Sequence, residues 1–328
     1  MERYVAIDNV CAWPNLSRAD DGKIFAAIFN QPTHGGWEGD VECWRSDDDG
    51  KFWKLAGVAA EHESTTNRMN VAAGLARDGS LVVLASGWTK RNVVGDYSSP
   101  HDGQVLPMWV CRSDADGANW THDESIALPT DGPETIIPFG DVIQLGDGNL
   151  GVSVYGWAPP NQVCSLFYVS TDDGRNWAQR GIIAATDSNE TAPVTLPDST
   201  LLAAVRTNGD GHIELYRSQD HGATWENRGP FSLPGQHPGH LTVLSDGRLL
   251  LSFGIRNRGL HAVAVRESDD GGTSWKGTQV LVDLPQTTDL GYPASVQADD
   301  GTIITAYYTS GADAHQRYHM GVLRWSIG

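Results

Sequence analysis

The chain is poor in cysteine, in positive charge and in long apolar runs, and each shortage excludes a class of protein. Its 328 residues include 4 cysteines, which have no metal-ligand spacing. Cys43 and Cys111 fall at equivalent positions of two predicted strands, which favours buried free thiols over a disulfide. Lys and Arg number 23 against 41 Asp and Glu, without a basic cluster, so a nucleic acid is not an expected partner.

Targeting segments are also scarce. The sequence contains no apolar run long enough for a membrane span, so no contact with a membrane is expected. The N-terminus, Met1 to Tyr4, lacks the basic and apolar regions of a secretory signal. We therefore expect a cytoplasmic protein, or a secreted or periplasmic one whose signal has been removed.

A short pattern recurs along the chain and predicts repeated hairpin turns. The pattern is Ser-x-Asp-x-Gly-x-x-Trp, and its tryptophans lie about 50 to 70 residues apart, as expected of repeated supersecondary units. Its Asp can accept backbone hydrogen bonds, its Gly can take a positive φ, and its Trp can fold onto a sheet. The complete copies are Ser46 to Trp53, Ser170 to Trp177, Ser218 to Trp225 and Ser268 to Trp275, and Ser113 to Trp120 has Ala115 instead of the Asp.

A second repeat is in phase with the first. Asp-Gly dipeptides, each followed by a β-rich run, begin at Asp21, Asp78, Asp147, Asp246 and Asp300, and Asp198-Ser199 fills the sixth slot. The last unit lacks an outer strand, which Arg3 to Ile7 can supply. The two repeats predict an all-β fold, a six-bladed β-propeller whose ring is closed by the N-terminal strand, as a single domain over residues 1–328. A β-sandwich is the alternative.

The innermost strands of such a propeller all begin at one end of the central channel, which is the usual place for a site. Counting back from the Asp-Gly turns and their Asp-Ser substitute places six segments there. They are Ala12-Trp13, Arg68-Met69-Asn70, Phe139, Asn189-Glu190, His237-Pro238 and Gly291-Tyr292. The segments are too polar for a plug, and Trp13 is expected to stack on a sugar ring or to pack in the core.

The repeated turns resemble the Asp boxes of the sialidase superfamily, and the resemblance extends over nearly the whole chain. It becomes specific in the inner-strand segments around Glu190 and Tyr292 and in the strand ends at Arg206 and Arg256. The segments are Asn189 to Asp198, Gly254 to Gly259 and Asp289 to Val296. The resemblance implies that Tyr292 is a nucleophile, that Glu190 is its partner, and that Arg206 and Arg256 belong to a carboxylate-binding triad.

These residue types suit the hydrolysis of an acidic sugar. A carboxylate on the anomeric carbon would repel a carboxylate nucleophile, whereas a neutral phenol avoids that penalty, and a glutamate can remove the phenolic proton during attack. Paired arginines can bind the substrate carboxylate in bidentate fashion. The alternatives are that Glu190 and Arg206 form an ion pair that braces two blades, and that Tyr292 is an aromatic plug of the channel.

One arginine of the family's triad is missing. In the family it lies at the first inner strand, where this chain has Cys11-Ala12-Trp13-Pro14, so that Ala12 occupies the arginine position. Arg68, on the adjacent blade, and Arg258 are candidates for a third guanidinium. Arg68 can equally be a surface residue beside a polar turn.

The general acid also departs from the family, where it is an aspartate about a dozen residues before the first box. That position falls on His34, and an imidazole can protonate a leaving oxygen near neutral pH. Asp40 ranks second and Glu38 is a further rival, because a small change in the length of this Gly-rich loop would make either the counterpart. Each of these residues can alternatively cap the loop.

We therefore expect a retaining glycoside hydrolase that acts on a terminal acidic sugar, sialic acid or another ulosonic or uronic acid, without a metal or other cofactor. A polysaccharide lyase is the second hypothesis, in which His34 or His237 acts with Tyr292 in β-elimination on a uronate. A non-catalytic carbohydrate-binding propeller is the third, because the acid and triad positions are altered.

Overall fold

The structure is a computed structural model that describes residues 1–92, 102–123, 126, 132–158, 162–284 and 288–327. Those residues form 24 β-strands and no α-helix. The strands are β1 (Glu2–Asp8), β2 (Ala12–Arg18), β3 (Ile24–Phe29), β4 (Val41–Ser46), β5 (Lys54–Ala60), β6 (Asn70–Leu75), β7 (Leu81–Ser86), β8 (Trp109–Ser113), β9 (Trp120–Asp123), β10 (Ile136–Gln144), β11 (Leu150–Ala158), β12 (Gln162–Ser170), β13 (Ala178–Ala184), β14 (Ser188–Thr195), β15 (Leu201–Thr207), β16 (Ile213–Ser218), β17 (Glu226–Pro230), β18 (Gln236–Val243), β19 (Leu249–Asn257), β20 (Leu260–Ser268), β21 (Gln279–Asp283), β22 (Leu290–Gln297), β23 (Ile303–Thr309) and β24 (His319–Trp325).

The strands form antiparallel meanders of four. Three separate sheets contain β2–β5, β14–β17 and β18–β21, and a fourth has the order β1-β24-β23-β22. The meanders β6–β9 and β10–β13 share one eight-stranded sheet, because β6 and β10 pair in parallel from Ala72–Gly140 to Gly74–Val142. The N-terminal strand β1 pairs with the C-terminal strand β24, from Glu2–Arg324 to Asp8–His319.

The first strands of the meanders surround a common centre. Each of β2, β6, β10, β14 and β18 contacts the first strand of the following meander, and β22 contacts β2. The second strands β3, β7 and β23 are buried at every residue because neighbouring sheets cover both of their faces. This arrangement confirms the predicted all-β fold and its propeller-like form, with the hydrophobic core lying between successive sheets.

The predicted box turns form as local hydrogen-bonded hairpins. In the first copy, Ser46 Oγ accepts from Gly50 N at 2.9 Å and Asp48 Oδ1 accepts from Phe52 N at 2.9 Å. In the degenerate copy Asp114, one position earlier, takes over and accepts from Ala118 N at 3.3 Å. The substitution of Ala115 is therefore tolerated because the neighbouring residue supplies the carboxylate.

The second repeat also forms the predicted turns. Gly22, Gly79, Gly148, Gly247 and Gly301 all have φ between +83° and +87°, a conformation that glycine adopts without steric cost. Ser199 occupies the sixth slot with φ +67°. All four cysteines are buried free thiols.

No helix in the described part of the chain has the length and apolar character that crossing a membrane requires.

Candidate active site

A cavity of about 390 Å³ opens where the inner strands begin, and it is lined by residues from all the meanders. Register shifts in the inner strands shape it. The pairing shifts between Ala12 and Asn15 in β2, between Ser188 and Thr191 in β14, and between Gly291 and Ala294 in β22. Such bulges leave residues outside the ladder and redirect their side chains.

The displaced residues are the ones that line the cavity. Trp13 and Tyr292 are each followed by a proline, which has no N–H to donate to a strand ladder. Both aromatic residues have positive φ, +44° for Trp13 and +47° for Tyr292, which is rare for bulky side chains and typical of functional sites. The sequence thus produces the cavity locally, by aromatic-proline pairs that interrupt the inner strands.

Tyr292, Glu190 and Arg206 form one hydrogen-bonded group in this cavity. The phenolic Oη of Tyr292 donates to Glu190 Oε1. Arg206 Nη1 donates to Glu190 Oε2 at 2.5 Å and to Tyr292 Oη at 3.3 Å. The carboxylate therefore lies between a proton that it can accept and a guanidinium that stabilises its charge.

The surroundings keep the phenol of Tyr292 protonated at neutral pH. Burial raises its pKa above the ordinary value, and the Glu190 carboxylate raises it further, while Arg206 and Arg256 oppose the shift. A phenol of this kind becomes a nucleophile only if its proton is removed as it reacts, and Glu190 is in position to receive that proton.

Arg256 completes the cationic side of the cavity. Its Nη2 donates to the carbonyl of Leu290 at 2.9 Å, and its guanidinium carbon lies 5.5 Å from the centroid of the Tyr292 ring. Arg206 and Arg256 lie near the ends of the second strands of successive sheets, β15 and β19. Both side chains line the cavity, where two guanidinium groups can bind an anion.

His237 lies close to both arginines, behind the cavity lining. It is 7% exposed, and its Nδ1 has no hydrogen-bond partner among the described residues. Burial, together with the charges of Arg206 and Arg256, lowers its pKa to about 2, so the imidazole is neutral. His237, a predicted substrate-binding residue, does not line the cavity.

His34 reaches the cavity from the loop between β3 and β4. Its ring packs edge-on against Trp13, with 5.0 Å between ring centroids, and its Nδ1 lies 2.9 Å from Asp289 Oδ1. Asp289 also accepts hydrogen bonds from Tyr308, at 2.5 Å, and from Tyr318. Burial alone would raise the pKa of Asp289, but hydrogen bonds from His34, Tyr308 and Tyr318 outweigh it and lower this pKa to about 2.

The rival acids of the same loop do not line the cavity. Asp40 accepts from His62, at 2.6 Å from Nδ1 and 2.8 Å from the backbone N. Glu38 accepts from the backbone N of Thr65. Both carboxylates thus contact neighbouring loop residues, and of the three candidates the structure brings only His34 to the cavity.

The candidates for a third guanidinium also lie elsewhere. Arg68 is 1% exposed, with its guanidinium carbon 3.6 Å from the ring centroid of Trp109 and a hydrogen bond of 2.8 Å to Glu63. It is therefore a core residue rather than a surface residue or a cavity residue. Arg258 is exposed in the turn between β19 and β20. Within the described residues, Arg206 and Arg256 are the arginines that line the cavity.

Sequence reasoning missed several cavity residues and supporting residues. Tyr155 lines the cavity from β11, and Asn15 and His240 line it from β2 and β18. Asn15 and His240 share Asp141, at 3.1 Å and 3.0 Å. These residues belong to no box and no Asp-Gly turn, so the repeats gave no signal for them. Asp289 lay within the segment that resembles the sialidases, but only the fold shows its contact with His34.

No group of three His, Cys, Asp or Glu side chains in the described part of the chain is arranged to hold a metal ion.

Comparison with known proteins agrees with this architecture. Residues 22–305 match the family described as BNR repeat-like domain. The chain belongs to that family. No curated protein matches the sequence.

The fold is similar to those of several solved structures, two sialidases among them. A protein of unknown function from Dyadobacter fermentans DSM 18053 is similar over 100% of this chain and 98% of that chain, with 22% identity and a TM-score of 0.85. The Hadza microbial sialidase Hz136 is 17% identical, with a TM-score of 0.76 over 98% of this chain and 66% of that one. The Trypanosoma rangeli sialidase in complex with the inhibitor DANA is 15% identical, with a TM-score of 0.71 over 99% of this chain and 56% of that one.

The chain thus covers 98% of the Dyadobacter protein, but only 66% and 56% of the two sialidases. At these identities the likeness shows the fold alone, and a fold does not determine the chemistry of its site.

Proposed function

We propose that this protein is a retaining exo-glycoside hydrolase for a terminal acidic sugar, with Tyr292 as nucleophile. One observation carries the proposal. The partly buried phenol of Tyr292 donates a hydrogen bond to Glu190 inside a cavity that Arg206 and Arg256 also line. A neutral nucleophile beside paired cations suits a substrate whose reacting carbon lies next to a carboxylate.

The first chemical step forms a glycosyl-tyrosine. Tyr292 Oη attacks the anomeric carbon, and its proton passes to Glu190. The bond from that carbon to the leaving oxygen breaks while His34 protonates that oxygen. In the second step a water displaces Tyr292 from the anomeric carbon, His34 accepts the proton of the water, and Glu190 returns its proton to the phenol. Each step inverts the configuration at the anomeric carbon, so the two steps together retain it.

The cationic groups determine the substrate class. Arg206 uses Nη1 to hold Glu190, which leaves its remaining N–H groups and those of Arg256 for the substrate carboxylate. Ala12 supplies no cation at the first inner strand, and Trp13 follows it in the cavity wall. The anion is therefore bound from the side of β15 and β19, which fits a ulosonic acid or a uronic acid presented in that orientation.

The same proposal includes a six-bladed ring. The eight-stranded sheet divides into two blades at the short parallel ladder between β6 and β10, and β1 supplies the outer strand of the sixth blade by pairing with β24. Contacts from β2 through to β22 and back to β2 support a closed ring, built as one domain. Closure matters for function because it holds Tyr292, from the last blade, beside Trp13, from the first, with 6.3 Å between their ring centroids.

Turnover with retention tests the hydrolase. Purified protein is incubated with a panel of nitrophenyl glycosides of sialic, other ulosonic and uronic acids, and the anomer first released from the best substrate is followed by NMR. The expected result is release of the retained anomer. An inverted product, or trapping of a fluorinated substrate on a carboxylate instead of Tyr292, would refute the tyrosine-nucleophile mechanism.

One observation favours β-elimination as a second candidate. The cavity brings together the imidazole of His34, which contacts the Asp289 carboxylate, and the phenol of Tyr292. These two groups can serve as the base and the acid that elimination from a uronate needs. The base would remove the proton on the carbon next to the carboxylate, the bond to the neighbouring leaving oxygen would break, and a carbon-carbon double bond would form. Ultraviolet absorbance of an unsaturated product from a polyuronate distinguishes this reaction from hydrolysis.

A further inference from the structure

The geometry points to Asp289 as the positioning residue of the proton donor: with Tyr308 and Tyr318 it fixes the ring of His34, so that Nε2 serves the leaving oxygen. This inference rests on the proposed hydrolase. It adds to that proposal a support for the acid and a class of leaving group.

The hydrogen bond between His34 and Asp289 has one chemically consistent direction. An ionised carboxylate only accepts hydrogen bonds, so the 2.9 Å contact with Asp289 Oδ1 requires that His34 Nδ1 carries a proton. The same oxygen accepts from Tyr308 at 2.5 Å, and Oδ2 accepts from Tyr318. With three donors, the carboxylate remains charged and cannot rotate without losing a hydrogen bond. Nε2 is then the nitrogen of His34 that can exchange a proton with a substrate.

The supports of Asp289 come from one rigid sheet. Asp289 directly precedes β22, which carries Tyr292, while Tyr308 lies in the neighbouring strand β23 and Tyr318 directly precedes β24. His34 belongs to the loop of another sheet and meets this group 255 positions away in sequence. Asp289 therefore ties a loop residue to the strand that presents the nucleophile, and the spacing between acid and nucleophile is set by that strand.

Packing against Trp13 restricts the imidazole from a second direction. The indole lies edge-on to His34 and also edge-on to Tyr292, at centroid distances of 5.0 Å and 6.3 Å. Carboxylate and indole contact the ring from two sides and so restrict its rotation, although the His34 side chain is 42% exposed.

A positioned proton donor implies a poor leaving group. A nitrophenolate leaves without protonation, whereas the alkoxide of a sugar hydroxyl does not, so general acid catalysis matters only for the second. The inference thus assigns to this site a natural substrate in which the acidic sugar is linked to another sugar, not to an activated aryl group.

Asp289→Asn tests the inference on two substrates with the same acidic sugar, one with a nitrophenyl and one with a lactosyl leaving group. We expect kcat/KM to fall about 100-fold or more on the lactosyl substrate and less than about fivefold on the nitrophenyl substrate. His34→Ala should show the same contrast, and the double variant should lose no more than His34→Ala alone. Equal losses on the two substrates would overturn the inference.

Asp40→Asn is the matched control. Asp40 lies outside the cavity, and its carboxylate contacts the Nδ1 of another histidine, His62, at 2.6 Å. The substitution should leave both rates within about twofold of the unchanged protein. A leaving-group contrast in Asp40→Asn would transfer the role of acid support from Asp289 to Asp40.

A spectroscopic measurement separates this inference from the hydrolase proposal. Nitrogen NMR of labelled protein above the titration range of histidine should show His34 as the Nδ1–H tautomer, and Asp289→Asn should give a mixture of tautomers. The Nε2–H tautomer in the unchanged protein would refute the positioning role. If no acidic glycoside is turned over, the hydrolase proposal fails, while the tautomer still decides the role of Asp289.

Discussion

Tyr292 donates the hydrogen bond of its phenol to Glu190, a residue 102 positions away that belongs to a different sheet. Arg206 binds the other oxygen of the same carboxylate. Burial and the neighbouring Glu190 carboxylate both raise the pKa of Tyr292, so the phenol keeps its proton in this hydrogen bond. In the proposed mechanism, the phenolic proton moves along this hydrogen bond to Glu190 as the phenolic oxygen attacks the substrate.

Tyr292→Phe should abolish turnover and leave the fold intact, because the change removes only the phenolic oxygen. We expect kcat to fall by at least ~10³-fold, with a melting temperature close to that of the unchanged protein. Tyr307→Phe is the control, since that phenol lies in a distant contact with Arg3. Activity near the original level in Tyr292→Phe would exclude the nucleophile.

Arg256→Ala should weaken recognition of the acid specifically. Charge-assisted hydrogen bonds contribute about 1.5–3 kcal/mol each, so kcat/KM should fall ~10- to 100-fold on the acidic substrate. The loss should shrink on an analogue whose carboxylate is reduced to an alcohol. Arg258→Ala, two residues along in the exposed turn, should change neither rate. Equal losses on acid and alcohol would mean that Arg256 only braces the blades.

Trp177→Ala should destabilise the fold without altering the chemistry. The side chain is 3% exposed in the core between sheets, and its indole donates to Gly174 O at 3.1 Å. Loss of a buried indole costs about 3–5 kcal/mol, measurable by urea unfolding. Phe52→Ala changes an aromatic residue of another box that is 69% exposed, and should cost less than about 0.5 kcal/mol. Similar values for the two variants would contradict the structural role of the box tryptophan.

His237 should make the protein sensitive to acid. Its folded pKa of about 2 lies below the ordinary 6.5 because burial and the two arginines disfavour its charge. As the pH falls below the ordinary value, the unfolded chain binds a proton that the folded chain does not, so stability decreases by up to about 1.4 kcal/mol per pH unit. His237→Gln removes this linkage, and its unfolding free energy should fall less than that of the unchanged protein between about pH 7 and pH 5. Parallel pH profiles would show that His237 is not buried as a neutral group.

The repeats could be read from the sequence because their physics is local. In the first box, Asp48 accepts hydrogen bonds from the backbone N–H groups of Lys51 and Phe52, which lie within four residues of it. The pattern therefore contains both the donors and the acceptor of its own hydrogen bonds. The replacement of the carboxylate by Asp114 in the degenerate copy is a local adjustment of the same kind. The all-β, propeller-like fold followed from counting these turns, since each one separates two strands.

The inner-strand segments could also be located, because their distance from the Asp-Gly turns is set by strand length. Trp13 and Tyr292 were placed at the channel in this way, and the prolines that follow them mark the interruption of pairing. The resemblance to sialidases supplied roles for Glu190, Arg206 and Arg256. These roles remain proposals, and Arg256→Ala tests the third of them.

Only the tertiary structure decided which charged groups reach the cavity. His34, Glu38 and Asp40 lie within one loop, and nothing in their spacing shows that His34 meets Asp289 while Asp40 meets His62. Arg68 is adjacent in sequence to cavity residues, yet its guanidinium packs on Trp109. Such contacts join residues from different sheets, and they depend on how the sheets pack around the centre. The sequence by itself determined the turns and the strands, while packing between sheets determined the site.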